Sequence, residues 1–193
     1  MRARAEKLAR GEAGECVFAC EHEPVYVTGR RGVDNRLRPE LPAPFVHADR
    51  GGETTFHGPG QLMLYPVIHV RRRGLGARAY VRMLEESCIA LLGGLGIAAR
   101  RRPGFPGVWT ERGKIAALGV RIARGVAFHG MALNVAVEPR WFAAIRPCGL
   151  DAPVCRLADF PGLGEPPALA TLARRWYDCF CEAASVYSEK GSR

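Results

Sequence analysis

A chain of 193 residues, 48% of them apolar, is long enough for one soluble domain whose core needs no disulfide or metal staple. No apolar run approaches bilayer length, and the opening MRARAEKLARGEAGE has neither an apolar h-region nor a small-residue cleavage site, which argues against a membrane anchor or secretory signal. Seven cysteines, an odd number, fit a reducing cytosol better than a disulfide framework, and the net charge of +9 favours acidic partners.

The densest basic runs, Arg71–Arg73 and Arg100–Arg102, are not interleaved with aromatic residues as a nucleic-acid stacking platform would be. An arginine-rich solvated face, or a docking face for an acidic protein, is the expectation. There are no internal repeats and no long linker. In GECVFACEHEPVYVTG, Cys16, Phe18 and Cys20 alternate with Val17 and Ala19, a strand period that puts both cysteines on one buried face. A metal pair there lacks partners at usable spacing.

FVHADRGGETTFHGPGQLMLYPVIHV reads as strand, glycine-rich loop, strand. GARAYVRMLEESCIALLGGLG sets Tyr80, Leu84, Cys88 and Leu91 at helical spacing and stops at Gly93 and Gly94. Between 107 and 138, valine and isoleucine with glycine breaks predict three or four antiparallel strands. Small residues there let strands pack closely against a bound chain or a neighbouring backbone. ATLARRWYDCFCEAASVY predicts a helix with Leu172, Trp176, Cys179 and Ala183 on one stripe. Cys179 and Cys181 then point to different sides and make no ligand pair. The order predicts an α+β fold: helices on a mixed, largely antiparallel sheet, one domain over 1–193, with 1–15 and 186–193 loosely held.

Two residues stand out for chemistry. Cys148 lies in IRPCGL between Pro147 and Gly149, so it belongs to neither a helix interior nor a strand interior. Such a kink exposes sulfur and leaves amides free nearby, but inert packing is the plainer alternative. Lysines occur only at 7, 114 and 190, and Lys114 alone falls inside the folded region, in RGKIAALG. An amine there is partly desolvated, suited to proton transfer or to favouring a nearby thiolate, unless it simply points to water. RGGETTFHGPGQ holds four glycines and a proline in twelve residues, a loop whose backbone can approach a ligand closely. It has neither Walker A nor dinucleotide spacing. His57 within it, and His129 before Gly130, could each orient a substrate, titrate or merely hydrogen-bond; a Cys–His hydrolase has no local signature here.

Taken in order, EHEPVYVTGR, RGGETTFHGPGQLMLYP, GKIAALGVRIARGVAFHGMALNV and IRPCGL closely resemble the lipoyl(octanoyl) transferases of lipoate biosynthesis, over residues 20 to 157. The resemblance implies a fold like the catalytic domain of biotin and lipoate protein ligases. It implies an acyltransferase with a Cys/Lys dyad, Cys148 as nucleophile and Lys114 as proton shuttle, working through a Cys148 thioester without metal or other cofactor. Substrate-binding positions carry over to Arg50, Gly51, Gly52, Glu53, Thr54, Thr55, Phe56 and His57, to Ala117, Leu118 and Gly119, and to Gly130, Met131 and Ala132. The implied donor is octanoyl-acyl carrier protein. The implied acceptors are lipoyl domains of 2-oxoacid dehydrogenase E2 subunits and the glycine cleavage H protein. Apart from the resemblance, composition sets the expectation of a cytoplasmic protein that binds neither nucleic acid nor membrane, with a monomer as the default.

The chain departs from the family pattern at Glu53, where glutamine or lysine is commoner, at Met131, where phenylalanine is, and at Cys155, which adds a second thiol. Cys155 is either inert or a disulfide partner for Cys148 under oxidation. The rival readings are an ATP-dependent lipoate or biotin ligase, an amidotransferase between lipoyl-bearing proteins, and a non-catalytic module that docks acidic lipoyl domains.

Overall fold

Alternating apolar segments build two sheets in the computed structural model, which describes residues 1–31, 35–37, 40–146 and 152–190. In chain order the elements are α1 (Arg2–Ala9), β1 (Cys16–Cys20), β2 (Val25–Thr28), β3 (Phe45–His47), β4 (Thr55–His57), β5 (Gln61–Val67), α2 (Ala77–Gly93), β6 (Arg100–Arg102), β7 (Phe105–Thr110), β8 (Gly113–Ala123), β9 (Val126–Asn134) and α3 (Leu169–Lys190). The larger sheet has the order β1-β5-β9-β8-β7-β6 and every pairing in it is antiparallel. The smaller, β3-β2-β4, pairs β2 with β3 in parallel and with β4 antiparallel. The predicted α+β class, a mixed and largely antiparallel sheet flanked by helices, is the one observed.

Local rules account for the centre. Arg124 and Gly125, at φ of 52° and 81°, form the two-residue turn joining β8 to β9, and two successive positive φ values match the right-handed twist of a hairpin. Period-two alternation then sorts the side chains. Leu62 and Leu64 of β5, with Met131 and Leu133 of β9, face α2 and α3 in the main core. Met63, Tyr65 and Ala132 face the other way, and farther along this face Val67, Val126 and Phe128 receive Ala5 and Leu8 of α1.

Helix α2 ends against Gly94, as its glycine pair predicts, and Cys88 is fully buried. The stripe of α3 is rotated relative to the expectation. Leu172, Trp176, Phe180 and Ala184 are its buried residues, while Cys179 and Ala183 are only partly covered. Spacing by four, with Phe180 stacked 4.9 Å from Trp176, wins over the mixed spacing read from the sequence. Strand β1 corrects another expectation. It is an edge strand, so Cys16 and Cys20 are half-covered and Phe18 between them is exposed. The glycine-rich stretch is also not loop throughout, since β4 interrupts it.

Two buried aromatic groups test the core. Among the described residues neither Tyr80 Oη nor Trp176 Nε1 has a hydrogen-bond partner. Tyr80→Phe should therefore leave unfolding free energy unchanged or raise it by about 1 kcal/mol, because an unmade buried bond is removed. Trp176→Ala should lower it by about 3–5 kcal/mol through the cavity left behind. Urea titration checks both, and a clear loss in Tyr80→Phe would mean that its hydroxyl is satisfied.

Candidate active site

The site begins at Arg50, a buried guanidinium at the start of the glycine-rich loop. Its nitrogens donate to the carbonyl oxygens of Val27 (2.7 Å), Gly51 (2.9 Å) and Glu53 (3.1 Å). These bonds curl residues 50–53 around the side chain, and Gly51 N donates to Val120 O of β8 at 2.9 Å. The loop can lie on the sheet because Gly119 is beneath it. A Cβ there would come within 2.7 Å of Arg50 Cδ and 2.9 Å of Gly51 O. Gly119 pairs directly with Gly130 of β9, and Ala117 with Ala132, so the strip under the loop carries little side-chain bulk.

That strip floors an apolar slot of about 240 Å³. From the predicted set, Arg50, Gly52, Glu53, Thr55, His57, Ala117, Leu118, Gly119, Gly130, Met131 and Ala132 line it. Thr54 and Phe56 line neither this slot nor the cavity beside it. Alternation along β4 turns Phe56 away, and it stacks on Trp141 at 4.9 Å in a separate aromatic cluster with Tyr26; Thr54 is buried just before the strand begins. Glu53 takes a hydrogen bond from Asn35 Nδ2 at 2.9 Å and faces Arg31 at 3.5 Å, so its carboxylate is held by neighbours at the slot's mouth.

A second cavity, about 670 Å³, shares Gly52, Glu53, Leu118 and Gly119 with the slot and is also lined by Gly51 and Lys114. Lys114 is buried on β8, with Nζ 5.3 Å from the Trp109 ring centroid. Its main chain is bonded on the outer side too: Lys114 N donates to Pro153 O at 2.9 Å, and Cys155 N donates to Lys114 O at 3.0 Å. Residues 153–155 are therefore fastened to the lysine strand. On the entry side, Arg146 N donates to Asn35 O at 2.7 Å. Cys148 itself lies outside the described residues. Cys155 is buried, with Sγ 3.3 Å from Thr110 Oγ1, and burial pushes its thiol pKa up.

Three histidines border the slot. His57 is buried, and burial, with Arg50 nearby, pulls its pKa down to about 3. Its Nδ1 lies 3.4 Å from Gln61 Oε1. His22 Nε2 is 2.9 Å from the Tyr65 hydroxyl, whose pKa burial pushes up. His129 Nε2 is 2.9 Å from Asp49 Oδ1. Burial lowers the His129 pKa against the pull of Asp49; burial of Asp49 is outweighed by His129 and Arg2, which hold that carboxyl below its usual range. A neutral imidazole donating to a carboxylate satisfies both. His129 also has φ of 59°, an uncommon conformation for a residue with a Cβ, one that its bond to Asp49 helps fix.

His22, Val27, Met63 and Tyr65 join the slot too; they lie within the stretches that carry the family resemblance but are not among the binding positions carried over from it. Alternation along β5 carries the available signal for Met63 and Tyr65; the others come together only through tertiary pairing.

The architecture is one shared by lipoate and biotin protein ligases. A bi-partite lipoate protein ligase from Thermoplasma acidophilum superposes with a TM-score of 0.72 at 13% identity, covering 97% of this chain and 84% of that one. Lipoate-protein ligase A bound with ATP gives 0.71 at 13% identity, over 97% and 86%. A biotin protein ligase from Aquifex aeolicus gives 0.55 at 10%, over 89% and 72%. The model of the lipoyl protein ligase A/B catalytic domain matches residues 1–180, and the chain belongs to that family. Among its relatives are an octanoyltransferase of Geobacter metallireducens, 46% identical over 86% of this chain and 78% of the relative, and one of Chromohalobacter salexigens, 50% identical over 82% and 72%.

The buried imidazoles set an acid limit. A folded-state pKa for His57 well below the ordinary 6.5 means that only the unfolded chain takes up its proton as pH falls below that value. Stability should be fully present above about pH 6.5 and decline below it. His129 contributes in the same direction. His57→Gln should flatten the decline by up to about 1 kcal/mol per pH unit. Urea midpoints measured from pH 7.5 to 4.5 read this directly; an identical slope in the variant would show that His57 is protonated in the folded protein.

Proposed function

We propose that the chain is an octanoyltransferase of protein lipoylation, moving an octanoyl group from octanoyl-acyl carrier protein to a lysine of a lipoyl domain. The observation that carries this reading is Lys114: a buried amine on the wall of a cavity that shares Gly52, Glu53, Leu118 and Gly119 with an apolar slot, on a strand bonded to the chain that follows Cys148. Family membership and two octanoyltransferase relatives above 45% identity support it.

In this mechanism Lys114 takes the Cys148 proton, and the thiolate attacks the thioester carbonyl of the donor. The tetrahedral oxyanion collapses, the carrier's thiolate leaves and is protonated from Lys114, and octanoyl remains on Cys148 as a thioester. The ε-amine of the acceptor lysine then attacks that carbonyl. Its proton passes to Lys114, the Cys148 thiolate departs, and an amide is formed. Backbone amides near Gly149 or in the 50–57 loop are the candidate donors for the oxyanions. The eight-carbon chain lies in the slot over Gly119, Gly130 and Ala132, where Arg50 shapes the wall through its carbonyl bonds. No cofactor enters any step. The acceptors are the lipoyl domains of 2-oxoacid dehydrogenase E2 subunits and the glycine cleavage H protein, and the enzyme works as a cytoplasmic monomer. Likeness to lipoate-protein ligase A bound with ATP favours, as the second reading, an ATP-dependent ligase that activates free acid.

Intact-mass analysis after mixing with octanoyl-acyl carrier protein, without ATP, decides between them. The expected result is one octanoyl group mapped to Cys148, absent in Cys148→Ser, and formed about a hundredfold more slowly in Lys114→Ala. No adduct, with lipoyl-domain acylation only when octanoate and ATP are supplied, would establish the ligase.

A further inference from the structure

Among the described residues one acidic side chain, Glu85, is buried, and it lies in the middle of α2 with 6% of its surface exposed. Nothing in the acyl-transfer steps uses it. A carboxyl at such a position is costly, since desolvation penalises its charged form, and burial indeed pushes the Glu85 pKa up. Arg101, Arg82 and Lys114 act in the opposite sense, as does a hydrogen bond from Gly107. A leucine in its place would avoid the cost of burying a polar group, so an acceptor oxygen here calls for a reason beyond packing.

Gly107 supplies the reason. Its N–H donates to Glu85 Oε1 at 2.9 Å. It sits on β7 beside an irregularity in the pairing with β8, where the register shifts between Val108 and Trp109. Its φ of 132° suits glycine, and a Cβ on it would overlap Lys114 Cε and stand 3.2 Å from Lys114 Nζ. The lysine side chain thus lies against the bare face of Gly107 while Glu85 holds the amide of that same residue from the helix side. Helix, strand and ammonium stem form one stack.

We infer that Glu85 is a positioning residue for Lys114, acting through the Gly107 amide: it fixes the stretch of β7 backbone on which the lysine side chain rests, opposite the point where β8 carries one extra residue between Lys114 and Ala116. The inference depends on the acid–base role given to Lys114 above. What the reaction needs from Glu85 is an acceptor oxygen at the right height under β7, more than a negative charge. A residue that only filled the core would affect folding or substrate binding; this one acts on the rate of the chemical steps.

The experiment compares Glu85→Ala, Glu85→Gln, Gly107→Ala and Lys114→Ala in octanoyl transfer to a lipoyl domain and in the rate constant for iodoacetamide alkylation of Cys148. Glu85→Ala and Gly107→Ala should each lower kcat about tenfold or more, leave KM for the lipoyl domain within about twofold, and slow alkylation as Lys114→Ala does. Glu85→Gln, which keeps an acceptor oxygen, should recover most of the lost rate. Alkylation rate constants report on each folded molecule, so a smaller folded fraction does not imitate the effect, and Gly107→Ala perturbs the stack with Glu85 intact. Undiminished kcat in Glu85→Ala, a loss confined to KM, or a Glu85→Gln as impaired as Glu85→Ala overturns the inference. Wild-type kcat in Lys114→Ala removes the acid–base reading and this inference with it. A crippled Lys114→Ala beside an unimpaired Glu85→Ala removes this inference alone.

Discussion

A buried guanidinium lying across a stretch of sheet almost bare of side chains is the constraint on which the rest of the site depends. Arg50 can be taken out of water only because its donors meet the carbonyls of Val27, Gly51 and Glu53. Those carbonyls are available only because the 50–53 loop closes over the sheet, and it closes only where Gly119 leaves room. Gly29 answers from the other side, where a Cβ would lie 2.8 Å from Arg50 O and 3.0 Å from its Nη1. Lysine could not substitute, since a point charge with three donors does not fan out to carbonyls in a plane as guanidinium does. The apolar slot is the space left between that loop and the Gly119–Gly130 and Ala117–Ala132 pairs.

The slot and the lysine cavity are also joined through the interior. His57 meets Gln61, Gln61 Nε2 donates to Asn134 Oδ1 at 2.8 Å, and Asn134 Nδ2 donates to Cys155 O at 3.0 Å. Cys155 N in turn donates to Lys114 O. Gln61 and Asn134 are buried and each bonds through its side chain to the next, so the network ties β4, β5, β9 and the chain after residue 151 to the strand bearing Lys114. In a low-dielectric interior an unpaired member of such a network is expensive, which makes the relative placement of slot and lysine resistant to drift. His57, neutral because it is buried, fits this chain as an uncharged hydrogen-bonding group.

The elements legible in the sequence were those set by local period. Helix α2 followed from Tyr80, Leu84, Cys88 and Leu91 with a glycine stop, and β7 to β9 from valine and isoleucine runs broken at turns. Ordered motifs carried the slot-formers at 50–57, 117–119 and 130–132 to within one strand face. What stayed hidden required tertiary pairing. Phe56 shares a motif with Thr55 and His57 yet points away, because β4 pairs with β2 and alternates. Phe180 displaced Cys179 from the buried stripe of α3 through its stacking on Trp176. Glu85 is the sharpest case. Beside Glu86, which pairs with Arg101 and is half exposed, it reads as a second solvated acid, and nothing local marks the turn that sends it inward to Gly107.

Glycines at 107, 113 and 119 share β7 and β8, and each permits a different approach. A Cβ at Gly107 would overlap the Lys114 side chain, one at Gly113 would strike the Pro153 carbonyl, and one at Gly119 would collide with Arg50. The first controls where the amine goes, the second whether the chain following Cys148 reaches the lysine strand, and the third whether the loop roofs the slot. Loss of side-chain area at three positions weakens the strands themselves, since glycine contributes nothing to cross-strand packing and costs backbone entropy. The compensation comes from what rests on them: Glu85 and Lys114 on one, Pro153 and Cys155 beside the next, Arg50 with Gly51 on the last. Strands of ordinary β-formers would hold together better and hold none of these in place.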